Sequence, residues 1–97
     1  MHQLGPIIES TEELRAVRRR YLAEMAEILR ETLRRLGSTW PDDALTNAVT
    51  LLIEISTTTY HHIGRCDEAL AKETLELWHV GAKAILQRCM EGGPGGA

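Results

Sequence analysis

The strongest structural signal in the chain lies in residues 41–64, which read PDDALTNAVTLLIEISTTTYHHIG. The segment begins like a helix, because Pro41 suits a first turn, acidic residues there interact favourably with the helix dipole, and Thr39 is a residue type that caps helices. One face then repeats at helical spacing and is mostly apolar, with Leu45, Ala48, Val49, Leu52, Ile55, Thr59 and Ile63. Leu51 and Ile53 point to other sides. A surface helix usually has a single apolar stripe, so this helix is predicted to have neighbours on two sides, one of them a second copy of the chain.

A long amphipathic helix is predicted before this segment, from Thr11 to Leu36. Its apolar residues recur at spacings of three and four: Leu14, Val17, Tyr21, Met25, Ile28, Leu29, Leu33 and Leu36. Charged residues occupy the opposite face, and Gly37 is suited to cap the C-terminus. Residues 1–10 are predicted to form a short separate segment, because Gly5-Pro6 interrupts regular structure.

A third long helix is predicted from Glu68 to Met90, with Asp67 as its N-cap. Gly81 lies in its interior, where glycine costs about 1 kcal/mol relative to alanine, and this predicts the close approach of another backbone. Short links join the three helices, so we predict an all-α fold: an antiparallel bundle of three long helices plus a short N-terminal segment. Residues 1–91 form one predicted domain, and residues 92–97 a flexible Gly-rich tail.

The composition is that of a soluble globular domain, with 43% apolar residues, 26% charged residues and a net charge of −3. No apolar run reaches the roughly 18 residues that span a bilayer, and no signal-peptide core follows Met1. Cys66 and Cys89 belong to no short-spaced motif, which predicts reduced, buried cysteines and a cytoplasmic location. The basic run Arg18-Arg19-Arg20 is predicted to lie on a solvated helix face.

The order of these parts resembles the C-terminal regulatory domain of the TetR family of transcriptional repressors. The resemblance covers Leu4 to Met90, and the segments that carry it are LGPIIESTEE, LRAVRRRYLAEMAEILRETLRRLG, PDDAL, RCDEAL and LELWHVGAKAIL. It implies that the last two helices pair with those of a second subunit as a four-helix bundle, and that the inner helices enclose a pocket for a small apolar inducer. The N-terminal helix-turn-helix of the family is missing here, so this chain alone is not expected to bind DNA.

Two groups of residues are the candidate sites. The predicted effector pocket is lined by residues of the first and central helices, namely Tyr21, Met25, Leu29, Leu52, Ser56 and Thr59. The predicted homodimer interface contains residues of the central and last helices, namely Leu51, Glu54, Thr58, Trp78, Gly81, Ala82 and Ile85. The expected function is to sense a small apolar or amphipathic effector, with no cofactor. The alternative is a ligand-free helical module that dimerises with itself or with an intact repressor.

Two polar features have more than one interpretation. Glu54 shares a semi-polar stripe with Asn47, Leu51, Thr58 and His61, which fits a solvated or interfacial face, or else a pocket acid that selects a cationic ligand. The hydroxyls of Ser56 and its neighbours either bond to carbonyls of their own helix or furnish polar groups in an apolar cavity.

Metal and catalytic chemistry are not expected. His61, His62, Cys66 and Glu54 come nearest to a metal-ligand set, but Gly64 interrupts the helical spacing that would bring them together. A Cys66–His62 dyad would need a group that orients the imidazole, and the sequence offers none. We therefore predict no catalytic residue and no metal ligand.

Overall fold

The computed structural model describes residues 4–92, with side chains described from residue 11 onward. This part of the chain contains three helices and no strand: α1 (Leu4–Arg35), α2 (Asp42–Ile63) and α3 (Glu68–Cys89). The all-α prediction is therefore confirmed. Residues 93–97 of the predicted Gly-rich tail lie outside the described residues, as do residues 1–3.

Helix α1 begins earlier than the sequence predicted, at Leu4 rather than at Thr11. The prediction of a separate N-terminal segment was therefore wrong from Leu4 onward. Gly5 and Pro6 are the second and third residues of the helix. In a first turn, the missing N–H of proline removes no helical hydrogen bond, so a residue that breaks a helix interior is tolerated.

Glycine ends α1 as predicted. Gly37 has a φ of 114°, which only glycine adopts without strain. The amide of Ser38 donates to the carbonyl of Leu33 at 2.9 Å, and that of Gly37 to Arg34 at 3.1 Å. These two hydrogen bonds form a Schellman motif, which satisfies carbonyls at the end of the helix.

The starts of α2 and α3 differ in how they are capped. The Asp67 carboxylate accepts a hydrogen bond from the Leu70 amide at 2.9 Å, so the predicted N-cap of α3 is confirmed. Helix α2 has no side-chain cap, and the expected cap from Thr39 was wrong. Pro41 holds the N-cap position with an extended ψ of 152°, and its carbonyl accepts from the Leu45 amide at 2.9 Å.

The buried core lies where the end of α1, the start of α2 and the end of α3 meet. It consists of Ala26, Leu33, Trp40, Leu45, Val49 and Cys89. Trp40 packs within this core, and its indole Nε1 donates to the carbonyl of Gly92 at 3.1 Å. Helix α2 contacts both α1 and α3.

The apolar stripe of α1 is covered only towards the C-terminal end of the helix, where Leu29 packs against the core. Ala26 and Leu33 are buried in the core, whereas Leu14, Val17 and Tyr21 are more than half exposed. Ala26 has a small side chain, and small side chains let a neighbouring helix approach closely. The N-terminal part of the stripe is consequently left uncovered by the other residues that the structure describes.

The chain is less compact than a self-contained domain of its length. Its radius of gyration is 17.1 Å, against about 12.5 Å for a compact domain of this size. Its accessible surface is 7295 Å², against about 5,600 Å² for a compact monomer of this size. More surface is therefore left uncovered than a self-contained domain of this length would leave.

Candidate functional site

The pair formed by α2 and α3 carries an apolar groove on the side away from α1. This surface, here called the outer face, encloses about 410 Å³ and is lined by Trp40, Ala44, Asn47, Ala48, Leu51, Ala84, Ile85, Arg88 and Cys89. On α2, Ile55 lies one turn beyond Leu51. On α3, Gly81 lies one turn before Ile85, and Leu77 lies two turns before Ala84. These residues extend the outer face towards the far end of both helices.

Most of the predicted interface residues lie on or beside the outer face. Leu51 and Ile85 line its groove, and Leu51 is 49% exposed. Glu54 and Thr58 are exposed on the following turns of α2. A Cβ built on Gly81 would meet nothing within 4 Å. Within one chain, then, no neighbour accounts for a glycine at this interior position of α3.

A second and larger groove lies on the other side of α3, towards α1. This inner groove has a volume of about 920 Å³. Its apolar floor combines Leu33 of α1 and Leu36 of the following turn with a row at four-residue spacing on α3 and its C-cap: Trp78, Ala82, Leu86 and Met90. A second row on α3 forms its polar rim: His79, Lys83, Gln87 and Glu91. Trp78 and Ala82, both predicted for the dimer interface, belong to this groove instead.

The inner groove is apolar surface that the chain leaves open. Leu36 is 68% exposed, Leu86 36% and Met90 40%. Isolated exposed apolar residues are ordinary, but a contiguous group that forms a concave surface indicates a binding site. The four-residue spacing of Trp78, Ala82, Leu86 and Met90 is visible in the sequence, but spacing alone does not show whether such a row is buried in a core or lines an open groove.

The predicted effector pocket is only partly brought together. Ser56 and Thr59 share a cleft of about 180 Å³ between α2 and α3, together with Tyr60, Ile63, Leu75 and Trp78. Tyr21, Met25 and Leu29 line none of the clefts described here, and Leu52 lies buried on α2. The two hydroxyl residues therefore meet Trp78 rather than the aromatic ring of α1.

The hydroxyls of this region are already engaged. Ser56 donates to the carbonyl of Leu52 at 2.8 Å, and Thr57 to that of Ile53 at 3.1 Å. Ser56 Oγ also accepts a hydrogen bond from Trp78 Nε1 at 2.9 Å. Bonding back to the helix, one of the two interpretations of this run, is therefore observed at Ser56 and Thr57.

Metal-binding and thiol chemistry find little support in the geometry. Among the described residues, no three His, Cys, Asp or Glu side chains are placed to hold a metal ion. The thiol of Cys66 donates to the carbonyl of His62 at 3.4 Å rather than to its imidazole. Cys66 and Cys89 are both free; burial raises the pKa of the Cys89 thiol, and the charge of Arg88 partly opposes this.

Over the part of the chain that the structure describes, no helix combines the length and the apolar character that crossing a membrane requires. Comparisons with protein-family models, with curated proteins and with solved structures found no match.

Proposed function

We propose that this chain is the dimerising and effector-sensing domain of a TetR-type transcriptional regulator that acts in the cytoplasm. The observation that carries the proposal is the apolar outer face of α2 and α3, which no other residue that the structure describes covers. Two copies that pair through this face would bring α2 and α3 of each into one four-helix bundle, as the resemblance implies.

The contacts within one chain support an antiparallel bundle as the unit that dimerises. Ser38, in the turn between α1 and α2, bonds to Cys89 at the end of α3. Ser56, towards the end of α2, bonds to Trp78 in the middle of α3. Helix α3 consequently runs back along α2, which places their apolar residues side by side.

The exposed surface of the chain is large enough to include a dimer interface. The exposed surface exceeds that of a compact monomer by about 1,700 Å². A stable dimer buries about 800 Å² on each partner. The excess exposed surface of the whole chain is therefore large enough to include one such interface.

A bound effector would act by changing the arrangement of α1. The inner groove lies on the side of α3 that faces α1, so an effector in it contacts both helices. A ligand changes the arrangement of α1 only by the difference in its affinity for the two arrangements. We propose that such a shift is passed to a DNA-binding module attached before α1, since this domain alone does not read DNA.

One observation favours the alternative of a ligand-free dimerisation module. The grooves are open surfaces, and the hydroxyls of Ser56 and Thr57 bond to their own helix instead of pointing into an enclosed cavity. If the module binds no effector, its apolar surfaces serve only to pair with another chain.

Two measurements decide between these possibilities. Light scattering on the purified chain at micromolar concentration should give the mass of a dimer, and a monomer would reject the proposal. A thermal-shift screen with hydrophobic drugs, acyl compounds and aromatic compounds should then raise the melting temperature with at least one class. A dimer that responds to none of them would favour the ligand-free module.

A further inference from the structure

We propose that the inner groove takes an amphipathic carboxylate, an acyl chain with one anionic end, and that Lys83 is the counter-ion at its rim. The inference rests on the proposed function and names the chemical class of the effector. It is carried by the shape of the groove and by the charges that line it.

The apolar floor of the groove is long. Trp78, Ala82, Leu86 and Met90 follow one another at single turns of α3. The row covers about 18 Å along the helix axis, at 1.5 Å per residue. A volume of about 920 Å³ lies at the upper end of the range of small-molecule sites. The length of this floor suits an extended acyl chain better than a compact ring.

The charges at the rim favour an anion. Lys83 lines the groove and forms no ion pair with any residue that the structure describes. Glu91 is the only acidic residue among those that line the groove, and it is paired with Arg88 at 3.1 Å. His79 lies one turn before Lys83 on the same row. A carboxylate at the rim would thus meet an unpaired cation, whereas an ammonium group would meet only a carboxylate that is already paired with Arg88.

The lysine can serve this role without being buried. A lysine can lay its methylene stem along apolar surface while its ammonium group stays in water, and Lys83 is exposed where it lines the groove. An acyl tail on the floor would cover Leu36, Leu86 and Met90, which the chain leaves exposed. Burial of the tail would supply most of the affinity, and the carboxylate would determine the orientation of the ligand.

The site also explains how such a ligand would act. Leu33 and Leu36 belong to α1 or the turn after it, and the remaining floor residues belong to α3. An acyl chain between them would bridge two helices that otherwise contact each other mainly through α2. Because the outer face lies on the other side of α3, the dimer and the bound ligand do not compete for surface.

The test is isothermal titration calorimetry of the unmodified chain at pH 8 with decanoate, decanol and decylammonium, each below its aggregation concentration. Decanoate should bind most tightly and decylammonium least tightly. Lys83→Gln should weaken decanoate about threefold, as expected for a solvent-exposed ion pair, and leave decanol unchanged. Lys72 is the other lysine of the chain; it lies on α3 outside the groove, so Lys72→Gln should change neither.

A second readout locates the ligand. The chain has two tryptophans, and in a Trp40→Phe variant the emission of Trp78 alone should change as decanoate binds. If that variant does not fold, the chemical shifts of the Ala82 and Leu86 methyl groups in the unmodified chain give the same information.

The outcomes separate this inference from the proposed function. Decanol binding as tightly as decanoate, or a Lys83→Gln chain that binds decanoate unchanged, would overturn the role of Lys83. Binding without a response at Trp78 or the methyl groups would overturn the location. A monomer that binds decanoate through Lys83 would leave this inference standing and remove the proposed dimer; a dimer that binds no probe would do the reverse.

Discussion

The hydroxyl of Ser38 donates a hydrogen bond of 2.7 Å to the carbonyl oxygen of Cys89, across 51 positions of sequence. Cys89 is the last residue of α3, where helical carbonyls lack partners within their own helix. Both residues are buried. This bond therefore attaches the end of α3 to the turn after α1 and satisfies a carbonyl that water does not reach.

Replacement of Ser38 by alanine should destabilise the fold by about 1–3 kcal/mol, because it leaves a buried carbonyl without a donor. Urea unfolding followed by far-UV circular dichroism measures the loss. Thr39→Ala is the matched control, because Thr39 is exposed and does not cap α2. The free energy of unfolding of this variant should stay within about 0.5 kcal/mol of that of the unmodified chain. Equal losses in both variants would mean that the turn, and not the Ser38 bond, holds α3.

The contact between Trp78 and Ser56 should show measurable coupling. Trp78→Phe removes the indole donor and Ser56→Ala removes its acceptor, so a double-mutant cycle isolates the 2.9 Å hydrogen bond. We expect a coupling of about 0.5–1.5 kcal/mol in unfolding free energy, the usual net value of such a bond. Additive losses in the double variant would show that the pair contributes nothing as a bond.

The sequence predicts the helices better than the surfaces between them. Gly37 and Asp67 mark helix ends by local backbone chemistry, so both could be read directly. The α1 start was missed because Gly5-Pro6 breaks a helix interior but not a first turn. Periodicity shows that a face is apolar without showing what covers it, so it could not indicate that Tyr21 is exposed within the chain or that Trp78 bonds to Ser56.

The two cysteines should differ in reactivity. Cys66 is partly exposed, whereas Cys89 is buried and the pKa of its thiol is raised, so fewer thiolates form there. Ellman's reagent at pH 8 should react quickly with one thiol of the native chain and with the second only in denaturant. A Cys66→Ser chain should lack the fast phase; a fast phase that persists would contradict the burial of Cys89.

The raised pKa of Cys89 also predicts a dependence of stability on pH. The folded state favours the neutral thiol, so the contribution is fully present below the pKa of the unfolded chain, near 9.0, and is lost as pH rises through the higher folded pKa. In urea titrations, the unmodified chain should have a higher free energy of unfolding than Cys89→Ala, and this difference should become smaller above about pH 9. A constant difference between pH 7 and pH 10 would mean that the buried thiol does not titrate differently in the two states.

Substitutions at Gly81 separate folding from self-association. Because a Cβ there meets nothing within 4 Å, alanine fits within one chain and should stabilise α3 by up to about 1 kcal/mol. If two backbones approach at Gly81 in the dimer, Gly81→Leu should instead weaken association at least tenfold, as measured by sedimentation equilibrium. The same variant should keep the circular dichroism of a folded helical chain, so loss of the dimer would not be explained by unfolding.

Two further variants make this test specific for the outer face. Glu76→Leu adds the same side chain to α3 five positions before Gly81, on a different side of the helix, and should leave association unchanged. Leu51→Glu places a charge in the middle of the outer face and should abolish the dimer, since a buried unpaired carboxylate is costly. A dimer that survives both Gly81→Leu and Leu51→Glu would place the interface on another surface, and the exposed stripe of α1 would become the next to test.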